Sequence, residues 1–184
     1  MIAVNVAQLL KLPPGTTRDF EFADQLPELD QEVELVRPLT GRAHLMRTSR
    51  GIFVASRYRA VARLLCGRCV EPTEFEIEGS SADEFAPTVD VVTGHALEDQ
   101  PESTELAIDE RHVLDLTEVI RQDLLTRLPL QPLCRADCPG LCAECGQNLG
   151  EARCRCGQET EAESPFAGLA ELMRRNASGQ ASPE

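Results

Sequence analysis

Six of the chain's eight cysteines fall between Cys134 and Cys156, a stretch that reads Cys-Arg-Ala-Asp-Cys-Pro-Gly-Leu-Cys-Ala-Glu-Cys-Gly-Gln-Asn-Leu-Gly-Glu-Ala-Arg-Cys-Arg-Cys. They form three close pairs, Cys134 with Cys138, Cys142 with Cys145 and Cys154 with Cys156, and a fourth pair stands alone at Cys66 and Cys69. Ligand pairs two to four residues apart are how a chain wraps thiolates around tetrahedral zinc. Eight thiols in four pairs supply two complete sets of four, so two zinc ions per chain are expected. An iron–sulfur cluster takes the same four thiolates and is the less favoured alternative.

A disulfide framework would need an oxidising compartment. The N-terminal residues carry no early basic cluster, and Asn5, Gln8 and Lys11 interrupt their apolar run; this is not the pattern of a signal peptide. No segment approaches the apolar length that spans a bilayer. The expectation is a cytoplasmic protein without membrane partners, where clustered cysteines hold metal. A redox reading of Cys66-Gly67-Arg68-Cys69 would require a following helix to lower the thiol pKa, whereas Phe75 and Ile77 alternate with Glu74, Glu76 and Glu78 as a strand does.

Loop lengths suggest how the ligands divide. Cys142, Cys145, Cys154 and Cys156 are joined by a short loop and close one local site, which leaves Cys66, Cys69, Cys134 and Cys138 for the other. The competing division joins Cys134, Cys138, Cys142 and Cys145, and leaves Cys66 and Cys69 to Cys154 and Cys156.

The elements that must position these pairs follow from periodicity. Asn5 caps a short segment over Val6 to Leu10, and Pro13-Pro14-Gly15 turns the chain. Phe20 and Phe22 alternate with Asp19 and Glu21 in a half-buried strand, before an acidic loop from Asp24 to Glu32. Leu39, Gly41, Ala43 and Leu45 share one parity against Arg42 and His44, and Thr48-Ser49-Arg50-Gly51 supplies a turn. The next strand places Ile52, Val54, Tyr58, Ala60, Ala62 and Leu64 on one face, and Arg57, Arg59 and Arg63 on the other. Its end puts Cys66 and Cys69 at a hairpin tip. The stretch from Ser80 to Gln100 reads as a loop with an edge strand at Val89 to Val92. Asp115-Leu116-Thr117-Glu118 resembles a capping box opening a core helix over 115–128, stopped by Pro129. An acidic linker then precedes a last short helix from Ser164 with Leu169, Leu172 and Met173, and a disordered end from Asn176.

The fold class expected is α+β: an antiparallel sheet or partly open barrel with a packed core helix, followed by a cysteine-rich zinc module. The domain expectation is a β-rich core over 1–129, the zinc module over 130–157, and a linker, helix and tail over 158–184.

The formal charge of −13 argues against indiscriminate nucleic-acid binding. Its distribution is uneven, because residues 35–70 contain eight arginines and no acid while the rest of the chain carries −21. Arg57, Arg59 and Arg63 are therefore candidates for contacting RNA phosphates, with Tyr58 or Phe53 for stacking. Alternatively these arginines pair with Glu74 to Glu78 on a neighbouring strand. His44, His95 and His112 are scattered, and neither a nucleophile elbow nor a phosphate-binding glycine loop is present, so no catalysis is expected.

The run Ile108-Asp109 to Leu114-Asp115-Leu116 to Leu128-Pro129, then Pro132-Leu133-Cys134, Gly140-Leu141-Cys142-Ala143-Glu144-Cys145-Gly146 and Cys154-Arg155-Cys156, resembles the YceD family of large-subunit ribosomal RNA accumulation proteins. Arg47-Thr48, Cys66-Gly67-Arg68-Cys69 and Pro165-Phe166-Ala167-Gly168-Leu169 extend the resemblance over nearly the whole chain. Asn148-Leu149-Gly150 departs from the family's usual Asn-Leu-Asn. The resemblance implies a cytoplasmic, non-enzymatic role in the synthesis, processing or stability of large-subunit ribosomal RNA, with that RNA or a ribosome-associated protein as partner. Two other classes remain open: an acidic adaptor that binds a ribosomal protein or RNA-processing enzyme, distinguished by salt dependence, and a thiol- or metal-responsive regulator, distinguished by free thiols under reducing conditions.

Overall fold

The computed structural model describes residues 1–26, 29, 33–98, 101, 103–156 and 173. It forms two compact units, one of residues 1–67 with 71–134, the other of 68–70 with 135 onward.

The first unit is mostly β. Its strands are β1 (Ala3–Asn5), β2 (Thr17–Asp24), β3 (Glu34–Leu35), β4 (Leu39–Arg47), β5 (Ile52–Leu65), β6 (Pro72–Pro87), β7 (Ala107–Ile108) and β8 (Val113–Asp115), with helices α1 (Ala7–Leu10) and α2 (Thr117–Arg127). The sheet runs β1-β8-β7-β6-β5-β4-β2, with β3 added against β5. All pairings are antiparallel except the two-residue contact of β6 with β7, which is parallel. The two end strands approach one another, since the Met1 amino group meets Asp24 and the Arg18 guanidinium donates to the Asn5 carbonyl at 3.4 Å. The sheet is thus a nearly closed, barrel-like one.

Alternation explains which side faces in. Leu39, Ala43 and Leu45 of β4, and Ile52, Val54, Tyr58, Ala60, Ala62 and Leu64 of β5, are buried. Burying such side chains contributes about 1.5–3 kcal/mol for each of the larger ones. Arg42, His44, Arg57 and Arg59 are exposed on the opposite face. Ile120 and Leu124 of α2 are fully buried in the same core. The N-cap of α1 is Val6, without a side-chain bond, and the Asn5 side-chain oxygen, one residue earlier than that cap, accepts from the Ala7 N–H at 3.1 Å.

Three local expectations are corrected. The capping box at α2 does not form: Asp115 belongs to β8 and accepts from the Thr117 N–H at 2.8 Å, while Glu118 pairs forward with Arg121 at 2.6 Å instead of reaching back. Ser80 to Pro87 is no loop but the second half of β6, and Val89 forms a single bridge to Ala96 around a turn held by the Asp90 carboxylate, which accepts from the Val92 and Thr93 N–H groups. The reason for the first part lies at Gly79, which is paired with Tyr58. A Cβ on Gly79 would stand 2.0 Å from the tyrosine ring, so the glycine marks a ring lying over the strand, not a turn. Finally, Tyr58 is unavailable for stacking on a base. It is 2% exposed, and its hydroxyl donates to Asp123 of α2 at 2.6 Å.

The expected linker at 159–163, most of the helix beginning at Ser164 and the tail from Asn176 lie outside the described residues.

Candidate metal centres and the arginine face

The turn between β5 and β6 is closed by the Cys66 N–H, which donates to the Glu71 carbonyl at 2.9 Å. Val70 takes a left-handed φ of 62° within it, a conformation uncommon for a β-branched residue. Gly67 donates to the Pro132 carbonyl at 2.7 Å, tying the turn to the segment that follows α2. Beyond Cys134, Cys138 donates to the Arg135 carbonyl at 3.1 Å, and its own carbonyl accepts from the Arg68 guanidinium at 2.8 Å. Gly140, with φ 77°, lets the backbone of Arg68 approach closely enough to accept from the Leu141 N–H at 3.1 Å. A Cβ there would sit 3.0 Å from the Arg68 carbonyl.

These turns gather the sulfurs of Cys66, Cys69, Cys134 and Cys138 within 4.8 Å of one another. Cys66, Cys69 and Cys138 are buried, at 1%, 6% and 3% exposure, and Cys134 is exposed.

The second set is built on a short knuckle. Cys142 N–H donates to the Gln147 carbonyl at 2.8 Å, Gly146 donates back to the Cys142 carbonyl at 2.9 Å, and Leu141 bridges Asn148. One turn from Asn148, whose carbonyl accepts from Glu151 and Ala152, brings the chain round to Cys154. The sulfurs of Cys142, Cys145, Cys154 and Cys156 again lie within 4.8 Å of one another. Four thiolates around zinc at about 2.3 Å sit about 3.8 Å apart, so both sets have the size and the donor type for that ion.

The sulfurs of the second set differ in their surroundings. Backbone N–H groups of Cys145 and Glu144 point at the Cys142 sulfur and bring its pKa down to about 7. Cys156 is pushed up to about 12, first by its hydrogen bond to Cys145 and then by burial and the neighbouring thiolates.

Arg57, Arg59 and Arg63 share the outer face of β5, but not its chemistry. Arg59 meets Glu78 at 2.9 Å, and Arg63 meets Glu74 at 3.2 Å and Glu34 at 3.3 Å. The register of β5 with β6 sets Arg59 opposite Glu78 and Arg63 opposite Glu74. The other arginines of residues 35–70 are similarly engaged. Arg37, Arg42 and Arg50 face Glu76, Glu21 and Glu84. Arg47 donates to the carbonyls of Leu10, Thr48 and Gly51, and so clamps the β4–β5 turn. Alone of the eight, the Arg57 side chain makes no ion pair or hydrogen bond among the described residues, with Arg42 on one side and Ser80 on the other. Sequence reasoning missed Arg127, which reaches this face from α2. It pairs with Asp123 at 2.7 Å and donates to the Ser80 carbonyl at 3.1 Å. A helical i, i+4 pair with Asp123 was the signal available.

A mostly β, barrel-like scaffold bearing two cysteine tetrads defines a small protein with two candidate metal centres. The family model for the large ribosomal RNA subunit accumulation protein YceD matches residues 54–173, and the chain belongs to that family. The match takes in β5 from Val54 onward, β6, α2 and all eight cysteines. An uncharacterized protein of Mycobacterium tuberculosis is 30% identical over 101 residues, which cover 55% of this chain and 46% of that protein. One from Mycobacterium leprae is 50% identical over 42 residues, 21% of this chain and 19% of its own. The chloroplastic large ribosomal RNA subunit accumulation protein YCED homolog 1 of Arabidopsis thaliana is 30% identical over 64 residues, 34% of this chain and 20% of that protein. The chain thus spans about half the length of the first of these relatives. No solved structure matches. Among the described residues no helix is long and apolar enough to cross a membrane.

Proposed function

We propose that the chain is a non-catalytic ribosome-biogenesis factor of the cytoplasm that supports the synthesis, processing or stability of large-subunit ribosomal RNA. The observation that carries this reading is the family match running from β5 through both cysteine tetrads. Its scaffold is α+β in class, a barrel-like core to residue 129 with α2 packed inside, then a cysteine-rich module over 130–157. Cys66, Cys69, Cys134 and Cys138 would hold one zinc, and Cys142, Cys145, Cys154 and Cys156 a second. Zinc bound there supplies a cross-link between thiolates and no reaction. The residues themselves do the rest: the hairpin tip presents two sulfurs, and the segment after α2 presents two more.

The test is the ratio of large- to small-subunit ribosomal RNA in cells lacking the gene, with and without the wild-type copy. A lowered ratio restored by that copy supports the role, and an unchanged ratio overturns it. Elemental analysis of the protein should give two zinc ions per chain; iron with a visible absorption band would replace zinc with a cluster.

A second reading, an adaptor that binds a basic ribosome-associated protein, is favoured by the carboxylates that already neutralise Arg59 and Arg63. Under it, the purified protein would bind a basic protein partner and no RNA at low salt.

A further inference from the structure

The outer face of β4, β5 and β6 carries a continuous groove. Its largest depression, about 670 Å³, is lined by Arg42, Arg57, Arg59, Ser80 and Arg127. It shares Arg42, Arg57 and Ser80 with a second depression of about 450 Å³, and Thr40, Arg59 and Glu78 with a third of about 270 Å³. The sheet register lays the walls out in rows: His44, Ala55 and Ala82; then Arg42, Arg57 and Ser80; then Thr40, Arg59 and Glu78. Successive rows are two residues apart, about 6.6 Å along a strand. Small side chains at Ala55, Ala82, Ser80 and Thr40 give the groove its depth.

The charges along it are unequal. Arg42 is taken by Glu21, Arg59 by Glu78 and Arg127 by Asp123, so three guanidinia are neutralised where they stand. Arg57 lies among them with Ser80 opposite, at the position where Arg59 and Arg63 each find a glutamate. The groove therefore has room and charge for one anion at its middle row, against Arg57. On one side of that row lies the uncharged floor of Ala55 and Ala82; on the other lies the Arg59–Glu78 pair, whose carboxylate has lone pairs left to accept from a hydroxyl group.

We infer that the Arg57 guanidinium anchors one phosphodiester of a single-stranded RNA laid along β5. The inference rests on the ribosomal RNA reading above and names the residues that would touch the nucleic acid. A sugar–phosphate chain alternates an anion with a neutral, hydroxyl-bearing sugar. That alternation suits a free guanidinium beside a carboxylate, which would repel the regularly charged side chains of an acidic peptide. Arg59 and Arg63 are bystanders, because an incoming phosphate would have to displace a glutamate already in place.

Binding of the full chain to an oligouridylate of about 12 nucleotides at low salt tests this. Arg57→Gln should weaken binding about tenfold, the loss of one set of charge-assisted hydrogen bonds, and lower the salt slope by about 0.7. Ser80→Glu, which gives Arg57 the carboxylate its neighbours have, should weaken binding as much. Arg63→Gln should stay within about twofold of wild type. If Arg57→Gln alters the thermal midpoint, Ser80→Glu decides. Wild-type affinity in both variants, no binding by the wild type, or tighter binding of a glutamate decapeptide than of the oligonucleotide each overturns the assignment. The cellular assay separates the two readings: a copy with Arg57→Gln and Ser80→Glu that restores ribosomal RNA as fully as wild type overturns the site and leaves the ribosomal role standing.

Discussion

The two sulfur tetrads share their chemistry and differ in everything around it. In the first, three of four cysteines are buried, and more than 60 residues separate Cys69 from Cys134. In the second, none is buried and all four lie between 142 and 156. Loop-closure entropy rises with loop length, from about 2 kcal/mol for a loop such as 146–153 to about 4 kcal/mol for the long one. A metal in the first tetrad would hold the β5–β6 hairpin to the chain beyond α2, whereas a metal in the second would order only its own knuckle. Four cysteines thus act as a fold-wide restraint in one place, and four others as a local one in the second.

The largest effect should come from changing Cys66 and Cys69 to Ser. Zinc content should fall from two ions to one, with about 4 kcal/mol or more lost from stability in denaturant. Loss of both ions, or an unchanged midpoint, would erase the distinction between the tetrads.

Gly79→Ala attacks the same hairpin away from its metal. The new Cβ would meet the Tyr58 ring at 2.0 Å and should cost about 1–3 kcal/mol with the zinc content unchanged. Elemental analysis paired with a denaturant curve checks both halves of that statement.

Changing Cys154 and Cys156 to Ser should remove one zinc with a smaller, local cost of about 2 kcal/mol. Hydrogen exchange should quicken beyond about residue 139 and stay unchanged in β4, β5 and β6. Quickening throughout those strands would show that the second tetrad also restrains the barrel.

The smallest effect is alkaline. Burial, then the hydrogen bond to Asp123, raises the Tyr58 hydroxyl above its ordinary value of 10.0. A raised acid favours the neutral form in the folded state, so its contribution is whole below pH 10 and is lost as pH climbs past that value. Raising the pH should therefore weaken the barrel while the zinc content measured at neutral pH stays unchanged. In Tyr58→Phe the denaturation midpoint should lose this pH dependence; the same decline in that variant would assign it elsewhere.

Much of this arrangement was legible before folding, for reasons particular residues make plain. Pair spacing and loop length sort Cys142, Cys145, Cys154 and Cys156 from the other four, and strand parity puts Arg57, Arg59 and Arg63 on one face. Both are local rules. What parity cannot supply is register: that Arg59 meets Glu78 while Arg57 meets Ser80 depends on where two long strands align. The extension of β6 past Gly79 was hidden because Gly-Ser-Ser resembles a turn, and only the ring of Tyr58, 21 positions earlier, explains the glycine. Arg127 was hidden by distance, as a helix residue whose partners on the sheet lie 47 positions away.

Tyr58 also makes the molecule its own optical probe. The chain holds one tyrosine and no tryptophan, so apart from the weak emission of its six phenylalanines its intrinsic fluorescence originates at one ring. That ring spans β5, Gly79 of β6 and Asp123 of α2. A phenol hydrogen-bonded to a carboxylate is quenched, and release of α2 from the sheet would brighten it. Fluorescence therefore reads the docking of one helix on one hairpin, while the cysteine tetrads, which absorb in a different way once metal is bound, can be followed separately in the same cuvette.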